Sequence, residues 1–439
     1  MNASLRCVLR AGLLAAALLP FATRAAAPAA AQPRPIVLKA ARLFDGRSEK
    51  LQVPGIVVLR GDRIVAVGPG AAVPGDATVV DLGDATLMPG LIDAHTHITF
   101  ELKDDWRQGE LDGLKKPIPQ LALEASVYAR RTVEAGVTTV RDVGSSDLLD
   151  VGLRNAIAAG TVVGPRLLVA VNSIGATGGH CDVTGYRPGA LGHDSADGVA
   201  DGPDAARAMV RKQVKHGADV IKICASGGVL SEGDSVDAPQ MTQAEMEAIV
   251  DEAHTLGKKV AAHCHGAAAA KRAVRAGVDS IEHGTFLDDE ALDLMKSRGT
   301  RLVPTLYTVV STRKLEAGGA PASVVETARR ADAAIQGTFR RAVQRGVRIG
   351  FGTDAAVFPH GENARELGLM VDWGMRPVDA LRAATGENAE LLGIAATVGT
   401  LEAGKAADVI AVPGDPTRDV RAVERVMLVV KGGAVVLNR

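Results

Sequence analysis

Aromatic side chains are scarce: Phe, Tyr and Trp make up 3% of the 439 residues, although 47% of the chain is hydrophobic. A core of this size must therefore be packed from Ala, Val, Leu and Ile, the material of buried parallel strands under amphipathic helices. An excess of charge of either sign is missing too. Lys and Arg number 50 against 51 Asp and Glu, a formal net charge of -1, so no basic field draws in nucleic acid or an anionic membrane. Cysteines number 4, and Cys7 falls in the leader described below. Cys181, Cys224 and Cys264 cannot all pair within one chain, and none has C-x-x-C spacing. That speaks against a disulfide framework or a thiolate zinc site. Cys224 and Cys264 are expected as small core residues. No apolar run reaches the roughly 20 residues that a membrane-spanning helix needs.

The start of the chain reads as an address. Arg6 and Arg10 flank the start of an apolar segment over residues 11–22, and the small-residue stretch RAAAPAAAQ that follows offers A-x-A cleavage sites. A secretory signal peptide over residues 1–31 is expected, leaving a periplasmic or secreted protein with no membrane attachment after cleavage.

Two kinds of pattern divide the remainder. Residues 32–89 alternate in short strands, IVLKAARLFDG, GIVVLRGDRIVAVG and ATVVDLGDATLM, and similar punctuation returns over residues 397–439. Each end reads as antiparallel sheet, and the two ends are expected to join in one small β-sandwich domain. Between them, over residues 90–396, strands and helices alternate: MPGLIDAHTH, VTTVRDVG, PRLLVAV, ADVIKIC, KVAAHCH, DSIEHGT, RLVPTLY and RIGFGTD. Eight such units close a (β/α)8 TIM-like barrel, so the fold class is α/β. Thr242 and Glu245 have the spacing of a capping box at one helix start. The long Gly-rich connection over residues 173–202 follows the third strand and is expected over the active face.

Six residues end these apolar runs and read as one two-metal ligand set: His95, His97, Lys222, His263, His283 and Asp354. Residues two apart on a strand share a face, so His95 and His97 project together and can hold one ion through neutral imidazoles. The same period places Glu282 opposite His283. An ammonium has no lone pair, so Lys222 binds metal only after losing its proton or being converted, and reaction with carbon dioxide gives a carbamate that can bridge two ions. An unmodified lysine paired with Asp354 is the alternative; the order of a phosphate-binding loop is absent. In HCH both histidines point inward. His263 is assigned to metal with His283, and His265 to substrate further toward the barrel mouth. Asp142 reads as a turn or salt-bridge residue.

MPGLIDAHTH and GTDAA resemble the signatures of the metal-dependent amidohydrolase superfamily. KICASGGV with VAAHCHGAAAAKRAVRAGVDSIEHGT resembles its branch of Xaa-Pro, Xaa-Arg and Xaa-Lys dipeptidases and ochratoxin-hydrolysing carboxypeptidase-like enzymes. The resemblance covers nearly the whole mature chain. It implies two divalent ions, usually zinc, an N6-carboxylated Lys222 as bridge, the six ligands above, and a homo-oligomer that is often an octamer. It also implies that His180, ending TGGH, and His265 hold the carboxylate of a small-molecule or dipeptide substrate, with added charge if protonated. Members often carry Tyr where this chain has His265. Asp354 is placed to take the proton of the attacking water and deliver it to the leaving amine. The expected activity is hydrolysis of dipeptides or N-acyl amino acids with a free C-terminal carboxylate, ochratoxin-type amides included. The alternatives are a cyclic amidohydrolase of the imidazolonepropionase kind and a non-catalytic scaffold.

Overall fold

The strands at the centre of the protein mix aliphatic residues with buried polar ones, as in LIDAHT, VIKIC and SIEHGTF. The computed structural model describes residues 33–189 and 196–439; the expected signal peptide lies outside the described residues. In chain order the strands are β1 (Ile36–Ala40), β2 (Arg42–Leu43), β3 (Gly55–Arg60), β4 (Arg63–Val67), β5 (Thr78–Asp81), β6 (Ala85–Pro89), β7 (Leu91–Thr96), β8 (Val137–Asp142), β9 (Arg166–Val169), β10 (Val220–Cys224), β11 (Lys259–Gly266), β12 (Ser280–Phe286), β13 (Arg301–Val303), β14 (Val409–Pro413), β15 (Leu428–Lys431) and β16 (Ala434–Asn438).

The middle of the chain is an α/β fold made of two parallel arcs, β7-β8-β9 and β10-β11-β12-β13. Every residue of β7, β8, β10 and β13 is buried, as parallel strands covered by helices require. A helix returns the chain between successive strands, for example Gln243–Thr255 between β10 and β11 and Ala267–Ala276 between β11 and β12. The first of these starts with the expected capping box, in which the Thr242 hydroxyl accepts from Glu245 N and the Glu245 carboxylate accepts from Thr242 N.

RIGFGTD, expected as the eighth strand, forms no regular strand. It and the residue after it make isolated parallel bridges instead, Ile349 to Leu302 of β13 and Ala355 to Thr96 of β7, while Ile174 bridges to Ile223 of β10. Glycine explains the close fit: a Cβ on Gly352 would collide with Val303 and approach the His95 Cβ to 2.9 Å. The segment is pressed too tightly between its neighbours to carry a side chain there.

The chain ends contribute two further sheets, ordered β4-β3-β1-β5 and β16-β15-β14-β6-β2. Pro89 pairs with Val409, so early and late strands share one sheet. Leu38, Val57 and Leu59 from the first sheet and Leu87, Val409 and Val430 from the second belong to one apolar cluster. The expectation of purely antiparallel pairing is corrected, because β1 runs parallel to β5 and β2 parallel to β6. In each pair the intervening strands provide the crossover that parallel neighbours need. Among the described residues no helix is long and apolar enough to cross a membrane.

A second correction concerns the cysteines. Cys181 and Cys224 are joined in a disulfide with Cα atoms 5.9 Å apart, and Cys264 is free and buried. Cys181 lies in the Gly-rich connection, 43 residues from its partner. Spacing along the chain gives no hint of that approach.

Candidate metal centre

His95 lies near the end of β7 and His97 just beyond it. Each imidazole is fixed through Nδ1: that of His95 is 2.8 Å from Glu282 Oε2, and that of His97 is 2.9 Å from the Gly144 carbonyl. Both Nε2 atoms then face one oxygen, Asp354 Oδ1, at 3.5 and 3.7 Å. A ring nitrogen held by carboxylate or carbonyl with its other nitrogen converging on further donors is the arrangement a metal-binding histidine adopts. His95, His283 and Asp354 bring their donor atoms within 4.8 Å of one another, and so do His263, His265 and His283. The donor set suits divalent ions that accept nitrogen and oxygen ligands.

The rings touch in an unbroken series. His97 meets His95 at 5.7 Å between centroids, His95 meets His283 at 4.8 Å, His283 meets His263 at 4.6 Å, and His263 stacks on His180 at 4.0 Å. His265 lies 4.8 Å from both His263 and His283. The structure therefore groups His265 as closely with the second triad as His263. Threonines within or just beyond the following strands orient this group: His283 Nδ1 is 2.8 Å from Thr305 Oγ1, and His265 Nδ1 is 2.8 Å from Thr285 Oγ1 in β12.

Two of these side chains sit on unusual backbone. His283 has φ 69° and Asp354 φ 60°, the left-handed region that non-Gly residues seldom enter and that clusters at functional sites. At His283 this breaks the strand alternation. Glu282, expected on the opposite face, is fully buried between His95 and Arg141, whose Nη2 donates to Glu282 Oε1 at 2.8 Å. Glu282 and Arg141 are buried polar residues of the candidate site that the sequence pattern missed. Among the described residues Asp142 forms no salt bridge; its carboxylate accepts from Ile98 N at 2.6 Å and Gly144 N at 3.3 Å, holding the turn beyond His97. Asp93 ties the same region to the loop of Asp354 by accepting from Thr353 Oγ1 at 2.6 Å and Asn363 Nδ2 at 2.8 Å.

The electrostatics suit cation binding. Burial works to raise the carboxyl of Asp354, but His95, His283 and His97 outweigh it and hold the group well below the usual carboxylate range. Burial lowers His97 to about 3 and pushes His263 and His283 well down, favouring the neutral imidazoles that a metal would need. Burial also brings the Lys222 amine down to about 8 against the pull of Glu282 and Asp354. The neutral amine, the form that attacks carbon dioxide, is correspondingly more abundant than for an exposed lysine.

His180 sits on the connection after β9, with Nδ1 2.5 Å from Ser231 Oγ and its backbone N–H donating to Gln240 Oε1 at 2.8 Å. Burial brings His180 to about 4 and His265 to about 3. Burial thus works against the added charge expected of these two.

The amidohydrolase family profile matches residues 86–436. The chain is 32% identical to ochratoxinase of Aspergillus niger over 421 residues, which span 90% of this chain and 85% of that protein. A Xaa-Pro dipeptidase crystallised with methionine in its active site is similar at 40% identity and a TM-score of 0.84, over 91% of this chain and 99% of that one. A prolidase complexed with N-methylphosphonate-L-proline is similar at 30% identity and a TM-score of 0.83, over 92% and 100% of the two chains.

Proposed function

This chain belongs to the amidohydrolase family and is a hydrolase of amide bonds; on that premise we propose that it cleaves dipeptides or N-acyl amino acids that carry a free C-terminal carboxylate. The observation that carries this reading is the position of His180, stacked on His263 at the edge of the ligand cluster with His265 close by. Two neutral imidazoles beside a metal site can donate hydrogen bonds to a substrate carboxylate and set its amide carbonyl over the ligands. The similar enzymes crystallised with methionine and with a phosphonate analogue of a proline amide support the same reading.

His95, His97 and Asp354 would hold one ion and His263 and His283 a second, with Lys222 carboxylated between them. Two divalent ions, zinc on the chemistry of these donors, would supply a hydroxide near neutral pH and polarise the amide carbonyl. Asp354, ionised in this setting, accepts the proton of the nucleophile and passes it to the leaving nitrogen, which departs poorly without it. Glu282 keeps the His95 ring in place throughout.

The parallel arcs and the bridges that link them support an eight-stranded barrel over residues 90–396, and the shared apolar cluster of the end sheets supports a β-sandwich from residues 32–89 and 397–439. Cleavage of residues 1–31 and a periplasmic or secreted location belong to the same proposal, supported by the leader pattern and the disulfide. So does assembly into a homo-oligomer, an octamer by the family pattern. The helices Trp106–Lys115 and Ile118–Glu134 present Leu114, Ile118 and Leu123 outward, the last 70% exposed.

A panel of dipeptides, N-acyl amino acids, their C-terminal amides and cyclic lactams, run with metal quantification, tests the reading. Hydrolysis confined to free acids is expected. Lactam opening alone would establish the cyclic alternative, and fully loaded protein that cleaves nothing would establish the scaffold.

A further inference from the structure

The residue after His180 is Cys181, and its disulfide partner Cys224 closes β10 two residues beyond Lys222. The bridge therefore joins the connection that carries the carboxylate-binding histidine to the strand that carries the bridging lysine. Cys224 is held from both sides. Its Cα pairs with His263 in the β10–β11 register, and its N–H donates to the Ile174 carbonyl at 2.9 Å. It is 2% exposed.

The Cys181 side is held differently. The polar partners of His180, Ser231 Oγ and Gln240 Oε1, both come from the irregular segment between β10 and the helix Gln243–Thr255, so they lie on a loop themselves. Thr177, Gly178 and Asp182 bond within the connection, to Asp201, Asp182 and Gly179. Ile174, six residues before His180, bonds to the Lys222 carbonyl at 2.8 Å and is the nearest preceding point where the connection joins the sheet. The ring itself is seated over Gly228, where a Cβ would collide with it. Loop contacts and the stack on His263 thus aim His180, and one covalent bond ties its neighbour to the barrel frame.

We propose that the Cys181–Cys224 disulfide is a positioning device for His180, so that substrate affinity, and not metal loading, depends on the oxidised bridge. The proposal rests on the reading of His180 as a carboxylate ligand. Opening the bridge takes a dithiol reductant: one thiolate attacks a bridge sulfur, the second displaces it, and two cysteine thiols are left while the reductant closes to its own cyclic disulfide. Cys264 takes no part, because it is fully buried and closed to a reductant.

The test is a double-mutant cycle on the metal-loaded enzyme. Peptide mapping should find Cys181 linked to Cys224 in wild type. Cys181→Ser, and wild type treated with a dithiol, should each lose on the order of a hundredfold in kcat/KM through KM, as misplaced binding groups do, with kcat and metal content retained. In a His180→Ala background, Cys181→Ser should add almost nothing, since both changes remove the same interaction. Adding dithiol to Cys181→Ser should likewise change nothing. Unlinked cysteines in active wild type, an unchanged KM in Cys181→Ser, losses additive with His180→Ala, or loss of metal in place of affinity would each overturn the proposal. Calorimetric titration with L-methionine runs the same cycle without turnover. Methionine binding that weakens in Cys181→Ser while no amide is cleaved would overturn the proposed function and sustain the clamp, and absence of both binding and cleavage would overturn the two together.

Discussion

Glu282 Oε2 lies 2.8 Å from Nδ1 of His95, with both side chains closed off from solvent. The other oxygen of the same carboxylate takes the buried Arg141 guanidinium at 2.8 Å. One acid thus fixes the His95 ring and neutralises a buried guanidinium whose other partners, the Ala94 carbonyl and the Ser280 hydroxyl, carry no charge. Glu282→Gln should cost roughly 10–100-fold in metal affinity, the usual effect of losing a partner that orients a ligand. Glu282→Ala, which strands Arg141, should destabilise the fold by about 3–5 kcal/mol. Metal retention under chelator and urea unfolding check the two. Wild-type values for both variants would show the acid to be dispensable.

Active protein should contain about two divalent ions per chain and lose activity on chelation, with zinc restoring it. Lys222→Ala should lose the pair of ions, and a small added carboxylate should restore part of the activity by standing where the carbamate stood. Elemental analysis decides the first point. An unmodified Lys222 in the mass spectrum of fully active enzyme would remove the second.

Amidating the substrate carboxylate should reduce kcat/KM by on the order of a hundredfold, because the group that orients the scissile bond is gone. His180→Ala and His265→Ala should each reduce turnover of the free acid and leave the amide nearly unaffected. With His180 held to about 4 and His265 to about 3 by burial, neither group should contribute a limb to the pH–rate profile near neutrality. Equal turnover of acid and amide by wild type would end the carboxylate reading.

Glu366 should give stability a pH slope. Burial pushes its carboxyl up to about 8 although Leu306 and Tyr307 donate backbone N–H groups to it. The folded chain keeps a proton that the unfolded chain releases near its ordinary 4.5. The stabilising contribution is therefore complete below about 4.5 and is lost as pH rises toward about 8, after which it stays lost. Glu366→Gln, neutral throughout, should flatten that part of the profile in urea unfolding across the window. An unchanged slope would assign it to other groups.

The clustering of His95, His263, His283 and Asp354 was legible because each ends an apolar run before a turn, where period two and strand termini do the arguing. Glu282 was not, since its inward direction depends on a left-handed His283 that alternation does not anticipate. The His180–Ser231 contact and the Cys181–Cys224 bond join loops distant along the chain, and local pattern carries no information about such closure. RIGFGTD was recognised by its glycines and its aspartate, yet those same glycines are why it packs as isolated bridges. Parallel pairing of β1 with β5 was hidden for a simpler reason: short alternating strands look alike whichever way their neighbours run.

The pairing of Pro89 with Val409 also governs how the molecule must be made. Strand β6 has emerged long before β14, its sheet partner, exists. Until then β6 offers an open edge of unsatisfied backbone groups, the kind that recruits other chains. Its contacts are about as non-local as this polypeptide allows, which slows folding and lengthens the exposure. Refolding from denaturant should accordingly lose yield steeply with protein concentration, and a fragment ending before β14 should aggregate.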